Sequence, residues 1–150
     1  MKDIKLCSAC LLGIKCRYDC KVKANEKIIE LSKKEILIPV CPEQLGGQST
    51  PRPNAEIVGG TGKDVLVGNA RVIEQNGTNV TANFILGAEE TLKIAKLYNI
   101  KEAIMKQKSP SCGCGKIYDG TFNGNLVVGD GVTTALLKQN NIKVITEEEL

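Results

Sequence analysis

The chain has no histidine and no tryptophan, and its aromatic side chains are two phenylalanines and three tyrosines among 150 residues. Without an imidazole the chain by itself cannot build a His-ligated zinc site, a Cys-His nucleophile pair or a histidine general base. The scarcity of aromatics leaves no base-stacking platform. The 20 Lys and Arg residues are interspersed with 17 Asp and Glu, for a net charge of only +3, so a nucleic-acid groove is not expected. No uninterrupted apolar segment reaches the ~18 residues needed to span a bilayer, and Met1-Lys2-Asp3-Ile4-Lys5-Leu6 lacks the apolar stretch of a signal peptide. The expectation is a soluble cytoplasmic protein with no membrane partner, a monomer or small homo-oligomer.

What the chain does have is cysteine, seven of them. In a reducing compartment an odd number at uneven spacing points to metal binding or catalysis more than to a disulfide framework. With imidazole missing, any metal would be held by sulfur, and proton transfer would fall to carboxylates, hydroxyls or lysines. The length suits one domain over residues 1–150, with a core built mainly from Ile, Val, Leu and Ala.

Two short apolar runs, Ile4 to Cys10 and Ile36 to Cys41, are bounded by polar or Gly/Pro stretches as buried strands are, and Ala103 to Gln107 forms a third. Between the first two, residues 25–34 place Ile28, Leu31 and Ile29 on one face of an amphipathic helix, giving a β-α-β unit. The spacing predicts a hairpin from Ala70 to Glu74 through a turn at Asn76-Gly77 to Asn79-Val80-Thr81. A helix is expected from about Asn83 to Tyr98, carrying Ile85, Leu86, Ala88, Leu92, Ala95 and Leu97. A last helix from Thr133 to Gln139 and a strand from Ile142 to Ile145 complete the alternation. The expected class is α/β, a three-layer Rossmann-like sandwich around a mainly parallel sheet with a short β-hairpin insertion.

In such a sheet the C-terminal strand ends share one edge, where ligands gather. Cys10 follows the first strand, Cys41 ends the second, and Cys112 lies in the loop after the third. Three cysteines distant in sequence therefore converge. Cys7, within the first strand, reads as a small core hydrophobe despite its Cys7-x-x-Cys10 spacing. Cys41-Pro42-Glu43 puts a thiol and a carboxylate at one rim, although a solvated turn glutamate is the commoner role for such a residue on its own. Ser109-Pro110-Ser111-Cys112-Gly113-Cys114-Gly115 combines hydroxyls, thiols and glycines in one loop. In Cys16-Arg17-Tyr18-Asp19-Cys20, Arg17 either lowers the Cys16 pKa or ties the loop to Asp19, and the role of Cys16 stays open. Gly129-Asp130-Gly131-Val132-Thr133-Thr134 has the content of an anion-binding helix start, but a capping Thr133 explains it more simply.

Taken in order, several strings resemble the thiouracil desulfidase family: Ser8-Ala9-Cys10-Leu11-Leu12-Gly13, Cys16-Arg17-Tyr18-Asp19, Cys41-Pro42-Glu43 with Gly46-Gly47 and Pro51-Arg52, Lys108-Ser109-Pro110-Ser111-Cys112-Gly113, Tyr118-Asp119-Gly120-Thr121-Phe122, and Gly129-Asp130-Gly131-Val132-Thr133. The match runs through nearly the whole chain. Cys20 stands where the family pattern usually has glycine, and Cys7 and Cys114 are additional to it. The resemblance implies a 4Fe-4S cluster held by Cys10, Cys41 and Cys112, with one iron left for the sulfur of a small thiolated nucleobase. It implies Glu43 as the acid-base group and Ser109 as the catalytic hydroxyl. Ser111 or the loop glycine amides are expected to bond to the cluster sulfides. The implied reaction is non-redox desulfuration of 2-thiouracil or a related thiouridine or thioamide, releasing hydrogen sulfide. Two rivals remain: a closed zinc or iron-sulfur module using Cys10, Cys16, Cys41 and Cys112, and a thiol redox protein using Cys7 and Cys10.

Overall fold

A computed structural model describes residues 2–150. Its main sheet contains β1 (Ile4–Ser8), β2 (Ile36–Val40), β5 (Glu102–Met105) and β8 (Lys143–Thr146), all parallel, in the order β2-β1-β5-β8. The period-2 alternation of side chains sorts the core into two layers. On one face, Leu6, Ala103, Met105 and Val144 pack with Ala95 and Ile100 and with Leu137 and Ile142. These partners come from the regions of α4 (Thr81–Leu97) and α5 (Val132–Gln139). On the other face, Cys7 and Ile104 pack with Leu11 and with Ile28 of α1 (Glu26–Ser32). The Asn25 side chain caps that helix, accepting from the Ile28 N–H at 3.2 Å. The α/β three-layer architecture is thus the expected one.

The differences from the sequence expectations lie at strand ends and helix starts. The first strand stops at Ser8, and Ala9–Leu12 forms one turn of 3₁₀ helix that carries Cys10. Pro42 does more than end β2. It opens the single-turn α2 (Pro42–Leu45) as its first residue, where its missing N–H costs nothing. In α4 the buried face is Phe84, Gly87, Ala88, Thr91 and Ala95, whereas Leu86 and Leu97 are exposed. The small residues win that face because α2 packs closely there: a Cβ on Gly87 would collide with the Pro42 carbonyl, and one on Gly46 with that of Asn83.

The Asn76-Gly77 turn forms, with the Gly77 N–H donating to the Glu74 carbonyl at 2.8 Å, but its returning arm is a single bridge between Ile73 and Asn79. Thr81 already starts α4: its Oγ1 accepts from the Val72 N–H at 2.9 Å, and its N–H donates to Asn79 Oδ1 at 3.0 Å. The main partner of β4 (Arg71–Glu74) is instead β3 (Ala55–Val58), antiparallel, followed by the short α3 (Gly62–Leu66). A second hairpin, β6 (Lys116–Tyr118) with β7 (Leu126–Val128), rises after β5. Among the described residues no helix is long and apolar enough to cross a membrane.

Candidate functional site

At the C-terminal edge of the sheet lies a cavity of about 510 Å³, lined in part by Cys10, Cys41, Glu43, Ser109 and Cys112. All five residues singled out in the sequence therefore meet in one place. Cys10 arrives on the 3₁₀ turn after β1, Cys41 at the end of β2, and Cys112 on the loop after β5. Cys16 joins them, buried, with its carbonyl oxygen 3.7 Å from Cys41 Sγ. Cys7 is fully buried in the core layer with Leu11, Ile28 and Ile104, against which Cys10 packs, and loss of hydration pushes its thiol up to about 12. Cys114 rests its sulfur 3.7 Å from the Val144 carbonyl.

Cys20 is exposed and holds a left-handed φ of 59°, the backbone conformation that favours glycine. That explains why a glycine is expected at this place. Arg17 pairs with Asp19 through two bonds of 3.1 and 3.2 Å, which hold the Asp19 carboxyl down at about 2, and this answers the question of its partner.

The thiols differ in how readily they would give up a proton. The neighbouring Cys16 thiol lowers Cys10 and brings Cys41 down to about 7, against the opposing effect of burial. Its own pKa is pushed up by the same contacts. Burial pushes Cys112 up as well, so its proton is one that a metal would have to displace. Among the described residues no group of three or more Cys, Asp or Glu side chains is drawn together to hold a single metal ion. Thiols distributed around a cavity suit the separate corners of a polynuclear iron-sulfur cluster, and sulfur is the donor such a cluster takes.

The Cys112 loop is built by its own hydroxyls. Ser109 Oγ accepts from the N–H groups of Ser111 at 3.1 Å and Cys112 at 3.0 Å. Among the described residues its own hydroxyl proton has no acceptor, and Ser109 lines the cavity. Ser111, expected near the cluster sulfides, instead bonds Thr133 Oγ1 at 2.8 Å inside the protein. The Gly113 and Gly115 amides are likewise used internally, by the Ser109 carbonyl and Asp130 Oδ1, both at 2.8 Å. The start of α5 holds no anion site and no Thr133 cap. Gly131 precedes the helix, and the Val132 and Thr133 amides take the Pro110 and Ser111 carbonyls at 2.8 and 2.9 Å. The orphan amides of the helix start thus seat the cysteine loop.

Glu43 sits on α2, where burial pushes its carboxyl up while the neighbouring Arg52 guanidinium, 3.0 Å from Oε1, acts the other way. Tyr18, Tyr118 and Phe122 also line the cavity, so a chain poor in aromatics places three of its five here. Phe122 has φ 58°, and its N–H and that of Gly120 are bound by the buried Glu56 carboxylate at 3.2 and 3.0 Å. Arg52 and Glu56 carried no assigned role in the sequence. Arg52 belongs to the matching Pro51-Arg52 string, whereas the only local signal of Glu56 is a charged side chain after Pro53-Asn54-Ala55 in a stretch that otherwise reads as a turn followed by a strand.

A solved structure of a [4Fe-4S]-dependent thiouracil desulfidase, TudS, superposes with a TM-score of 0.86 at 39% identity, covering 99% of this chain and 93% of that one. The uncharacterized protein YbbK of Bacillus subtilis (strain 168) is 51% identical over 145 residues, 97% of this chain and 96% of YbbK. The 2-thiouracil desulfurase family model matches residues 6–149. With its strand-end thiols gathered on one cavity beside Glu43, the chain belongs to the 2-thiouracil desulfurase family.

Proposed function

We propose that this protein is a 4Fe-4S-dependent, non-redox desulfidase that exchanges the thiocarbonyl sulfur of a small thiolated nucleobase, 2-thiouracil or a related thiouridine or thioamide, for oxygen. The observation that carries this reading is the meeting of Cys10, Cys41 and Cys112 with Glu43 and Ser109 on one cavity. Cys10, Cys41 and Cys112 would hold the cluster. When bound, the cluster supplies a thiophilic Lewis acid that polarises the carbon-sulfur bond. Glu43, as carboxylate, takes a proton from the attacking water, and the Ser109 hydroxyl donates toward the substrate ring. Tyr18, Tyr118 and Phe122 offer walls against which a planar ring can lie. The balance is C=S plus water to C=O plus hydrogen sulfide, with no electron donor or acceptor required.

The rival closed module rests on Cys16, which is buried and lines the same cavity as Cys10 and Cys41. Iron and sulfide analysis of anaerobically prepared protein, combined with sulfide release from 2-thiouracil, separates the readings. The proposal expects about four iron and four sulfide per chain together with turnover. Zinc, or a cluster without turnover, favours the module, and the absence of both metals favours a thiol pair. Glu43→Gln should keep the iron and lose roughly 10²-fold in turnover. Full activity in that variant would remove Glu43 from the mechanism.

A further inference from the structure

Arg52 is a cation with only 4% of its side chain exposed, and its guanidinium reaches three separate stretches of chain. Nε donates to Glu43 Oε1 at 3.0 Å. One terminal nitrogen donates to the Ser49 carbonyl at 3.1 Å and to Thr50 Oγ1 at 2.9 Å. The other donates to the Cys16 carbonyl at 2.9 Å. The Arg52 backbone N–H is itself held by the Tyr18 carbonyl at 2.9 Å, so the side chain is anchored at its root as well as at its tip. A buried cation persists only when its donors are satisfied, and four of the five donors of this planar fork have protein oxygens in fixed directions.

The consequence for Glu43 is directional. Among the described residues only Oε1 is hydrogen-bonded, and Oε2 is left on a residue that lines the cavity. A glutamate side chain free to rotate about three bonds would spread its oxygens over several rotamers. One oxygen fixed to a rigid guanidinium sets the orientation of the other. The same fork grips the Cys16 carbonyl, which also meets Cys41 Sγ.

We propose that Arg52 is the positioning residue for Glu43: it fixes Oε1 and so aims Oε2 into the cavity, in register with the cysteine-bearing turns. This inference rests on the acid-base role proposed for Glu43. Lysine, a single ammonium on a flexible stem, keeps the charge but cannot serve Glu43, the residue 49–50 turn and Cys16 at once. A displaced reacting group costs on the order of 10- to 100-fold in rate.

The test compares Arg52→Lys, Glu43→Gln and the double variant Glu43→Gln/Arg52→Lys, each anaerobically reconstituted. Iron and sulfide content, kcat and KM for 2-thiouracil are measured for all three. The expected result is Arg52→Lys with wild-type iron and sulfide, kcat about 10- to 100-fold lower and KM little changed. The double variant should then be no slower than Glu43→Gln alone, because Arg52 acts only through that carboxylate. Additive losses, full activity, or a rate loss that merely tracks missing iron would overturn the positioning role. A fully active Glu43→Gln would sink the role of Glu43 itself, and that outcome is distinct from an additive double variant. Should Arg52→Lys fail to fold, Arg52→Gln keeps a donor toward Glu43 without the charge. If neither variant loads iron, Arg52 is structural and the proposal falls.

Discussion

Ser111 Oγ and Thr133 Oγ1 stand 2.8 Å apart with both side chains buried, and this contact fastens the Cys112 loop to the first turn of α5. Ser111→Ala leaves the Thr133 hydroxyl without its partner, which costs about 1–3 kcal/mol. The second fastener, Thr134 Oγ1 donating to the Cys112 carbonyl at 2.8 Å, remains in place. The variant should therefore fold, with a lower urea midpoint and faster loss of iron to a chelator. Wild-type values for both would show that the loop needs no such anchor.

Cys7 and Cys16 should separate cleanly. Cys7→Ser puts a hydroxyl among Leu11, Ile28 and Ile104, at a cost of about 1–3 kcal/mol, while iron and sulfide stay at wild-type levels. Cys16→Ser should also retain the cluster, whereas Cys10→Ser, Cys41→Ser and Cys112→Ser should each lose or cripple it. Bleaching of Cys16→Ser would move that residue into the ligand set and favour the closed module.

Gly87 is the point where α4 admits the Cys41-Pro42-Glu43 turn. Alanine there would gain at most about 1 kcal/mol of helix propensity. Its Cβ, however, would meet the Pro42 carbonyl, a backbone atom that cannot swing aside, and overpacking of this kind costs about 1–3 kcal/mol. The clash should win, so Gly87→Ala is expected to lower both the denaturation midpoint and iron loading. A more stable, fully loaded variant would contradict the close packing of α2 on α4.

Glu56 holds the Phe122 wall from below. Glu56→Ala releases the N–H groups of Gly120 and Phe122 and allows Phe122 to leave its positive φ. With one wall loosened, KM for 2-thiouracil should rise roughly 10-fold, the equivalent of about 1.4 kcal/mol of ring contact, while iron content stays constant. Steady-state kinetics on the loaded protein decide this, and an unchanged KM would detach Phe122 from substrate binding.

Cys20→Gly should stabilise the protein. The left-handed backbone at φ 59° costs a side chain about 1–2 kcal/mol that glycine does not bear, against about 0.5–1 kcal/mol of extra entropy in the unfolded glycine chain. The net gain of about 1 kcal/mol would appear as a higher urea midpoint. A fall would mean that the Cys20 thiol has a stabilising contact of its own.

The strands were legible because burial on both faces forces continuous apolar runs, and Leu6 and Cys7 show why: adjacent residues serve opposite core layers. The convergence of Cys10, Cys41 and Cys112 followed from the same topology, since parallel strands end at one edge. The buried face of α4 is not legible from apolar content, because close helix approach selects Gly87 and Thr91 over the larger Leu86 and Leu97. The hairpin after β4 was cut short because Thr81 hydrogen-bonds back to Val72 and starts the helix, a contact between residues nine apart that no propensity encodes.

By itself, the sequence determined the class of chemistry: seven thiols without an imidazole restrict the chain to sulfur ligation and place any proton transfer on oxygen or lysine. It also determined the α/β alternation, because hydrophobic period is a local property. Only the tertiary structure decided which groups are free to act. Ser111 and the loop glycines, polar and promising in sequence, are spent on α5, on Asp130 and on the loop itself. Arg52, part of a matching string but given no role in sequence, reaches Glu43, Cys16 and the residue 49–50 turn from one buried position. The physical reason is that donor and acceptor capacity belongs to each residue, whereas its use is settled by whichever partner folding brings within about 3 Å.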